Sequence, residues 1–229
     1  MIFNRDDPST WPYFKPLIIA HDVGRSRDRS TAVIGGNCPN GQQLIGIREL
    51  LELPLGLYGS ARASTLAEID RRYHSNAIIV VDLSNDASYA EVLFQMFGTR
   101  LIGFHISRHG DGTSYERRLV NGGSILVYTV GRTYLIEKFH SVLCSDQVRF
   151  VDDPMSRRGY DQLASLQAEM RETGTVYTCP AGQHDDLGMS CAMLACAAQH
   201  PHVGVWTNTI WSARRPRIKR QKHGWGAFV

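Results

Sequence analysis

Ala77-Ile78-Ile79-Val80-Val81-Asp82 is an unbroken apolar run closed by one carboxylate. A strand with one wet face alternates polar and apolar residues; a run without alternation predicts a strand covered on both faces, as in a parallel sheet flanked by helices. Just upstream, Ser64 to Tyr73 sets Leu66, Ile69 and Tyr73 at helical spacing behind a Ser/Thr start with Glu68 close by, which predicts an amphipathic helix. Downstream, 87–97 reads as a second helix and 100–106 as another short strand. Further toward the N-terminus, Leu17-Ile18-Ile19-Ala20 runs into His21-Asp22-Val23-Gly24, an arginine-rich turn (Arg25 to Arg29), and then Ser30-Thr31-Ala32-Val33-Ile34. A third run, Gln42 to Leu51, follows Pro39-Asn40-Gly41 and completes an antiparallel meander. The order β-β-β-α-β-α-β describes an α/β domain: a mixed five-stranded sheet, antiparallel meander plus parallel strands, with helices against it.

Between Ser107 and Tyr177 the pattern is less regular, with helical stretches expected at 131–142 and 161–173 and glycine-rich breaks at 110–112 and 121–123. From Asp185 to Gln199 the sequence leaves almost no polar face, so this last helix is expected to pack inside the domain. His184, Asp185 and Asp186 stand at its entrance. Cys191 and Cys196 lie within it among alanines and methionines, where cysteine serves as a small hydrophobe. The five cysteines contain no Cys-x-x-Cys pair, which argues against a zinc or dithiol centre.

The 229 residues, 43% hydrophobic and 21% charged, suffice for one core. The expected division is an N-terminal extension (1–16), one domain (17–211) and a basic tail (212–229). The net charge of +3 conceals an asymmetry: the tail holds six basic residues and no acid, so the 211 residues before it carry 19 basic and 22 acidic side chains, a net of −3. No stretch reaches the roughly 18 consecutive apolar residues of a membrane span, and Arg5, Asp6 and Asp7 interrupt any signal-peptide core. A cytoplasmic protein without membrane partners is expected.

Asp22 and Asp82 each end an apolar run. On neighbouring parallel strands, equivalent residues lie about 4.8 Å apart, the scale on which carboxylates bridge cations. Clustered carboxylates repel one another and need raised pKa values or a cation. Mg²⁺ and Mn²⁺ prefer such oxygen donors, and paired ions about 3.5–4 Å apart serve phosphoryl transfer. Asp185 and Asp186 would supply the third corner at the positive end of the buried helix. This set suits in-line attack of water on a phosphodiester, and with no Gly-x-Ser-x-Gly present no nucleophilic serine is indicated. Each aspartate also has an ordinary reading: Asp28, Asp86, Asp152 and Asp153 as turn or cap residues, Asp185 or Asp186 as an N-cap. His21, His105 and His184 are expected to be structural.

The string Gln183-His184-Asp185-Asp186-Leu187-Gly188-Met189-Ser190-Cys191-Ala192-Met193-Leu194-Ala195-Cys196-Ala197 resembles the third motif of the nuclease domain of tailed-phage terminase large subunits, where His-Asp-Asp opens an alanine-rich helix. Ile18 to Gly24, with Asp28, is similar to the first motif and Ile78 to Asp82 to the second, both shared across the broader RNase H-like superfamily. The resemblance spans residues 17 to about 200. It implies an RNase H-like fold and an endonuclease using two Mg²⁺ or Mn²⁺ ions to cut concatemeric viral DNA during packaging. Asp22, Asp82 and Asp185 would be the catalytic metal ligands, and Asp186 an auxiliary ligand. It also implies double-stranded DNA as substrate, a phage or prophage gene in a bacterial host, and a packaging ATPase and portal protein as partners. These 229 residues hold no Gly-x-x-x-x-Gly-Lys-Ser/Thr, so translocation is not expected of them. A RuvC-like Holliday-junction resolvase, or an inactive DNA-binding packaging module, remains open at this level.

Arg25, Arg27 and Arg29 beside the first carboxylate, and Arg214, Arg215 and Arg217 in the tail, are candidate phosphate contacts. Removal of 212–229 is therefore expected to weaken duplex-DNA binding and to flatten the fall of log K with log salt, by up to about 0.9 for each phosphate that the tail neutralises. An unchanged salt slope in a filter-binding titration would make the tail irrelevant to DNA.

Overall fold

The computed structural model describes residues 14, 16–24, 29–38, 44–107, 113–172, 174–180 and 183–200. The elements, in chain order, are β1 (Leu17–Asp22), β2 (Thr31–Asn37), β3 (Ile45–Glu52), α1 (Gly59–Arg72), β4 (Ile78–Asp82), α2 (Tyr89–Phe97), β5 (Leu101–Ser107), β6 (Thr113–Val120), β7 (Gly123–Gly131), α3 (Arg132–Cys144), β8 (Val148–Phe150), α4 (Pro154–Ala164), β9 (Gln167–Arg171), β10 (Gly174–Thr178) and α5 (Asp186–Gln199). The principal sheet has the order β6-β7-β5-β4-β1-β2-β3-β8. β1, β2 and β3 form the antiparallel meander, and β4 lies parallel to β1, β5 to β4 and β7 to β5.

The five strands expected from the sequence are the contiguous middle of this sheet, and three more extend it to eight at the edges. Of these additions β7 is an apolar, mostly buried run from Ile125 to Val130, whereas the other two carry weak patterns. β6 is Thr-Ser-Tyr-Glu-Arg-Arg-Leu-Val, an edge strand antiparallel to β7, and β8 is three residues beside β3.

Two expected elements are corrected: the helix read from a Ser/Thr start at Ser64 already begins at Gly59, with Ser64 and Thr65 donating to the Ser60 and Ala61 carbonyls inside it, and the helix placed at 161–173 is α4, at Pro154–Ala164. Asp153 caps it by accepting from the Ser156 amide at 2.7 Å, with Pro154 in the first turn, a start signal that outweighs downstream periodicity. Residues 167–171 are exposed throughout and pair with β10 in a separate two-stranded ribbon. With no apolar stripe, nothing there favours a buried helical face.

The sheet divides the core. Ile18, Ala20, Ile78 and Val80 face one apolar layer with α5 and α3, whereas Ile19, Ile79 and Val81 face the other, with α1 and α2. Both faces of β1 and β4 are covered, which is why their sequences do not alternate. By the two-residue period of a strand, Asp22 and Asp82 belong to the α5 side and His21 to the other. His21 accordingly lies edge-on to Tyr89 of α2, ring centroids 6.1 Å apart.

α5 is buried from Leu187 to Ala198. Small residues allow a close approach to α4: a Cβ on Gly188 of α5 would stand 2.7 Å from Leu163 Cγ, and one on Gly159 of α4 would stand 3.7 Å from Cys191 Sγ of α5. Two residues of β2 set the position of α5 along the sheet. Near its start, Thr31 Oγ1 donates to the Asp186 carbonyl at 3.1 Å and lies 2.7 Å from Ser190 Oγ; at its end, Asn37 Nδ2 donates to the Ala198 carbonyl. Cys191 and Cys196 are buried in this helix as free thiols. No described helix is long and apolar enough to cross a membrane.

Thr31→Val keeps the shape of β2 but leaves the buried Ser190 hydroxyl without this partner. It is expected to lower the free energy of unfolding by about 1–3 kcal/mol in urea denaturation; an unchanged midpoint would show that the contact does not hold α5.

Candidate active site

β1 and β4 pair in parallel with Ile18 beside Ile78 and His21 beside Val81. The same register carried one residue further brings Asp22 level with Asp82, at the carboxyl ends of both strands. Asp82 is nearly inaccessible, at 7% exposure. Its Oδ1 accepts from the Ser84 amide at 2.8 Å and from Ser84 Oγ at 2.5 Å. Ser84 Oγ in turn accepts from the Ile106 amide at 2.7 Å, so one hydroxyl ties the Asp82 carboxylate to β5. The Asp82-Leu83-Ser84 spacing is the local signal for such a turn.

Asp22, Asp82, Asp185 and Asp186 line one cavity of about 590 Å³, together with Ser84, Arg132 and residues of the β9–β10 ribbon. The four carboxylates identified in the sequence are thus brought together. The Asp22 carboxyl is pushed well above the usual carboxylate range, first by burial and then by the negative charges of Asp82, Asp186 and Asp185, with Arg132 acting in the opposite sense. Burial raises Asp82 as well, against the stabilising hydrogen bonds of Ser84 and the charge of His105.

The ordinary reading of Asp185 as a helix cap is not realised. Its side chain makes no capping bond to α5; Asp185 Oδ2 instead pairs with Arg132 Nη2, at the first residue of α3. Asp86 and Asp153 do act as local caps, Asp86 accepting from Ser88 and Tyr89 at the start of α2. His21 is structural: its Nδ1 lies 2.7 Å from the Thr31 carbonyl, and burial lowers its pKa to about 4. Arg29 is exposed, 3.7 Å from Glu52. Arg25, Arg27, Asp28, Arg214, Arg215 and Arg217, with the basic tail, lie outside the described residues.

Two contributors were not among the sequence candidates. Ser84 holds Asp82, and Arg132 balances Asp185. The signal for Arg132 is its place directly after Gly131, where β7 passes into α3 at the same end of the sheet. Among the described residues, no three acidic, histidine or cysteine side chains already enclose an ion-sized space, since Asp185 is turned toward Arg132 and Asp82 toward Ser84. The donor set is nonetheless one of hard oxygens under mutual repulsion at a helix N-terminus, which fits a hard divalent cation and no soft one.

No protein-family model matches the chain, and no curated protein matches it in sequence. Solved structures do. The large terminase nuclease of thermophilic phage G20c with bound magnesium is 19% identical with a TM-score of 0.54, over 79% of this chain and 80% of that one. The human cytomegalovirus terminase nuclease domain, soaked with manganese and bound to an inhibitor, is 15% identical with a TM-score of 0.55, over 90% of this chain and 92% of that one. The chain therefore has the fold of the terminase nuclease domains, the RNase H-like arrangement of a mixed sheet flanked by helices.

A carboxyl whose pKa in the fold exceeds its value near 3.8 in the unfolded chain binds its proton more tightly when folded. Its contribution to stability is complete below that value and is lost as pH rises through the raised pKa. Asp22→Asn removes this loss. With chelator present, its Tm is expected to exceed that of the wild type at about pH 8, the gap narrowing toward about pH 4; a pH-independent gap would contradict the charge cluster.

Proposed function

We propose that the chain is a divalent-metal-dependent endonuclease that hydrolyses phosphodiester bonds of double-stranded DNA. Asp22, Asp82 and Asp185 are its catalytic metal ligands and Asp186 an auxiliary one. The observation that carries this reading is the meeting of four carboxylates in one cavity, where the parallel strands β1 and β4 end against the start of α5. No cluster of caps needs that arrangement, and burial makes its repulsion worse.

Two Mg²⁺ or Mn²⁺ ions would supply an activated water and stabilise charge on the leaving 3′ oxygen. The chain's own part is to fix the ligands. Asp82 is held by Ser84; Asp22 shares the register of β1 and β4; Asp185 and Asp186 sit where the α5 dipole favours ionised carboxylates. The magnesium- and manganese-containing structures of the same fold support this choice of ions.

The biological setting we infer is the cutting of concatemeric viral DNA during genome packaging, in a phage or prophage context, together with a packaging ATPase and a portal protein. The fold shared with terminase nucleases and the His184-Asp185-Asp186 entrance to an alanine-rich helix support it.

The test is Mn²⁺-dependent plasmid nicking by the wild type, Asp22→Asn and Asp82→Asn, with circular dichroism to establish that each is folded. Both variants are expected to fall to background; undiminished cutting by both would overturn the assignment. Faster cutting of a four-way junction than of linear duplex would move it to a resolvase.

A further inference from the structure

Arg132 opens α3, the position at which a helix favours an anion and disfavours a cation, and the first turn of α3 holds no acidic residue to offset it. The residue is compensated from outside its own helix, by Asp185 across the cavity. The pair is partly withdrawn from water, with 27% of the arginine side chain and 16% of the aspartate exposed. The other arginine lining the cavity, Arg171, pairs with Glu169 at 2.7 Å on the exposed ribbon. Among the described residues, Arg132 is therefore the guanidinium directed at the carboxylates.

The Oδ2 atom that Arg132 holds belongs to a carboxylate read above as a metal ligand. A guanidinium and a divalent cation on the same carboxylate repel each other in a site already partly dehydrated. Asp82 meets no such competition, because its hydrogen bonds come from a neutral serine. A guanidinium displaced from Asp185 stays tethered at the cavity wall, and its fork of N–H donors matches two non-bridging oxygens of a phosphate.

We infer that Arg132 is a displaceable counter-ion: it neutralises Asp185 until a divalent cation takes that carboxylate, and then donates to the phosphate of the bound DNA strand. The inference rests on the metal-nuclease reading and adds to it an order of events, cation before DNA phosphate. It assigns Arg132 two opposed effects, weakening metal uptake and speeding cleavage. A purely structural tie between α3 and α5 has neither; its loss would destabilise the fold and weaken both.

The experiment is a calorimetric Mn²⁺ titration of the metal-stripped full chain, with single-turnover cleavage at saturating Mn²⁺, for the wild type, Arg132→Gln and Arg132→Lys. Arg132→Gln is expected to bind Mn²⁺ about tenfold more tightly yet to cleave about 100-fold more slowly, the scale of losing one donor to transition-state charge. Arg132→Lys keeps a cation on Asp185, so its Mn²⁺ affinity is expected within about threefold of the wild type, with cleavage about tenfold slower for want of the fork. Mn²⁺ uptake that Arg132→Gln leaves unchanged or weakens, or cleavage that either variant leaves unchanged, overturns the inference. Should Arg132→Gln not fold, the lysine variant decides by the same cleavage criterion. Failure of the wild type to bind Mn²⁺ overturns the metal reading itself, an outcome distinct from these.

Discussion

A helix without a polar face must be covered on every side, and the placement of α5 is the constraint on which the site depends. Its residues from Leu187 to Ala198 are buried against β1, β2, α3 and α4. Alanine, glycine and cysteine let backbones approach where larger side chains would hold them apart, as Gly188 against Leu163 illustrates. Thr31 and Asn37 of β2 hold the helix near its two ends. Because Thr31 is also the cross-strand partner of Asp22, the bond that locates the start of α5 sits beside the first carboxylate. Packing and site geometry are thus one arrangement.

The electrostatics of the site run in the opposite direction. Apolar layers reward burial, whereas Asp22 and Asp82 are driven toward protonation by the same burial. The chain offsets the charge locally, with Ser84 on Asp82 and Arg132 on Asp185. A fold selected for stability alone would not collect four carboxylates there. Unfavourable charge is here held in place by favourable packing.

The sheet explains how distant segments meet. A parallel pair ends both strands on one side, so the carboxyl ends of β1 and β4 deliver Asp22 and Asp82 together although 59 residues separate them. β7 ends on that side too, which is how Arg132, at the head of the next helix, reaches Asp185. The terminase nuclease domains share this fold at less than 20% identity, so the likeness lies in topology far more than in side chains.

Much of this was legible in the residues. The runs at Ile18–Ala20 and Ile78–Val81 show strands covered on both faces because burial on both sides removes alternation, and the unrelieved apolarity of α5 shows its central place. Asp22, Asp82, Asp185 and Asp186 stand out because charge at the end of such elements is costly. The edge strand β6 and the ribbon β9–β10 were not legible, since solvent-exposed strands impose no pattern, and α4 was displaced because its cap, not its periodicity, sets its start. Arg132 belongs only to the tertiary structure, whereas Ser84 holds Asp82 within a local turn and owes to the fold only its tie to β5. An arginine after a glycine is ordinary in sequence; what gives it a role is the cavity wall it shares with a carboxylate from a distant part of the chain. Local chemistry can determine which residues are costly to bury, but which partner bears that cost depends on contacts that only the folded chain creates.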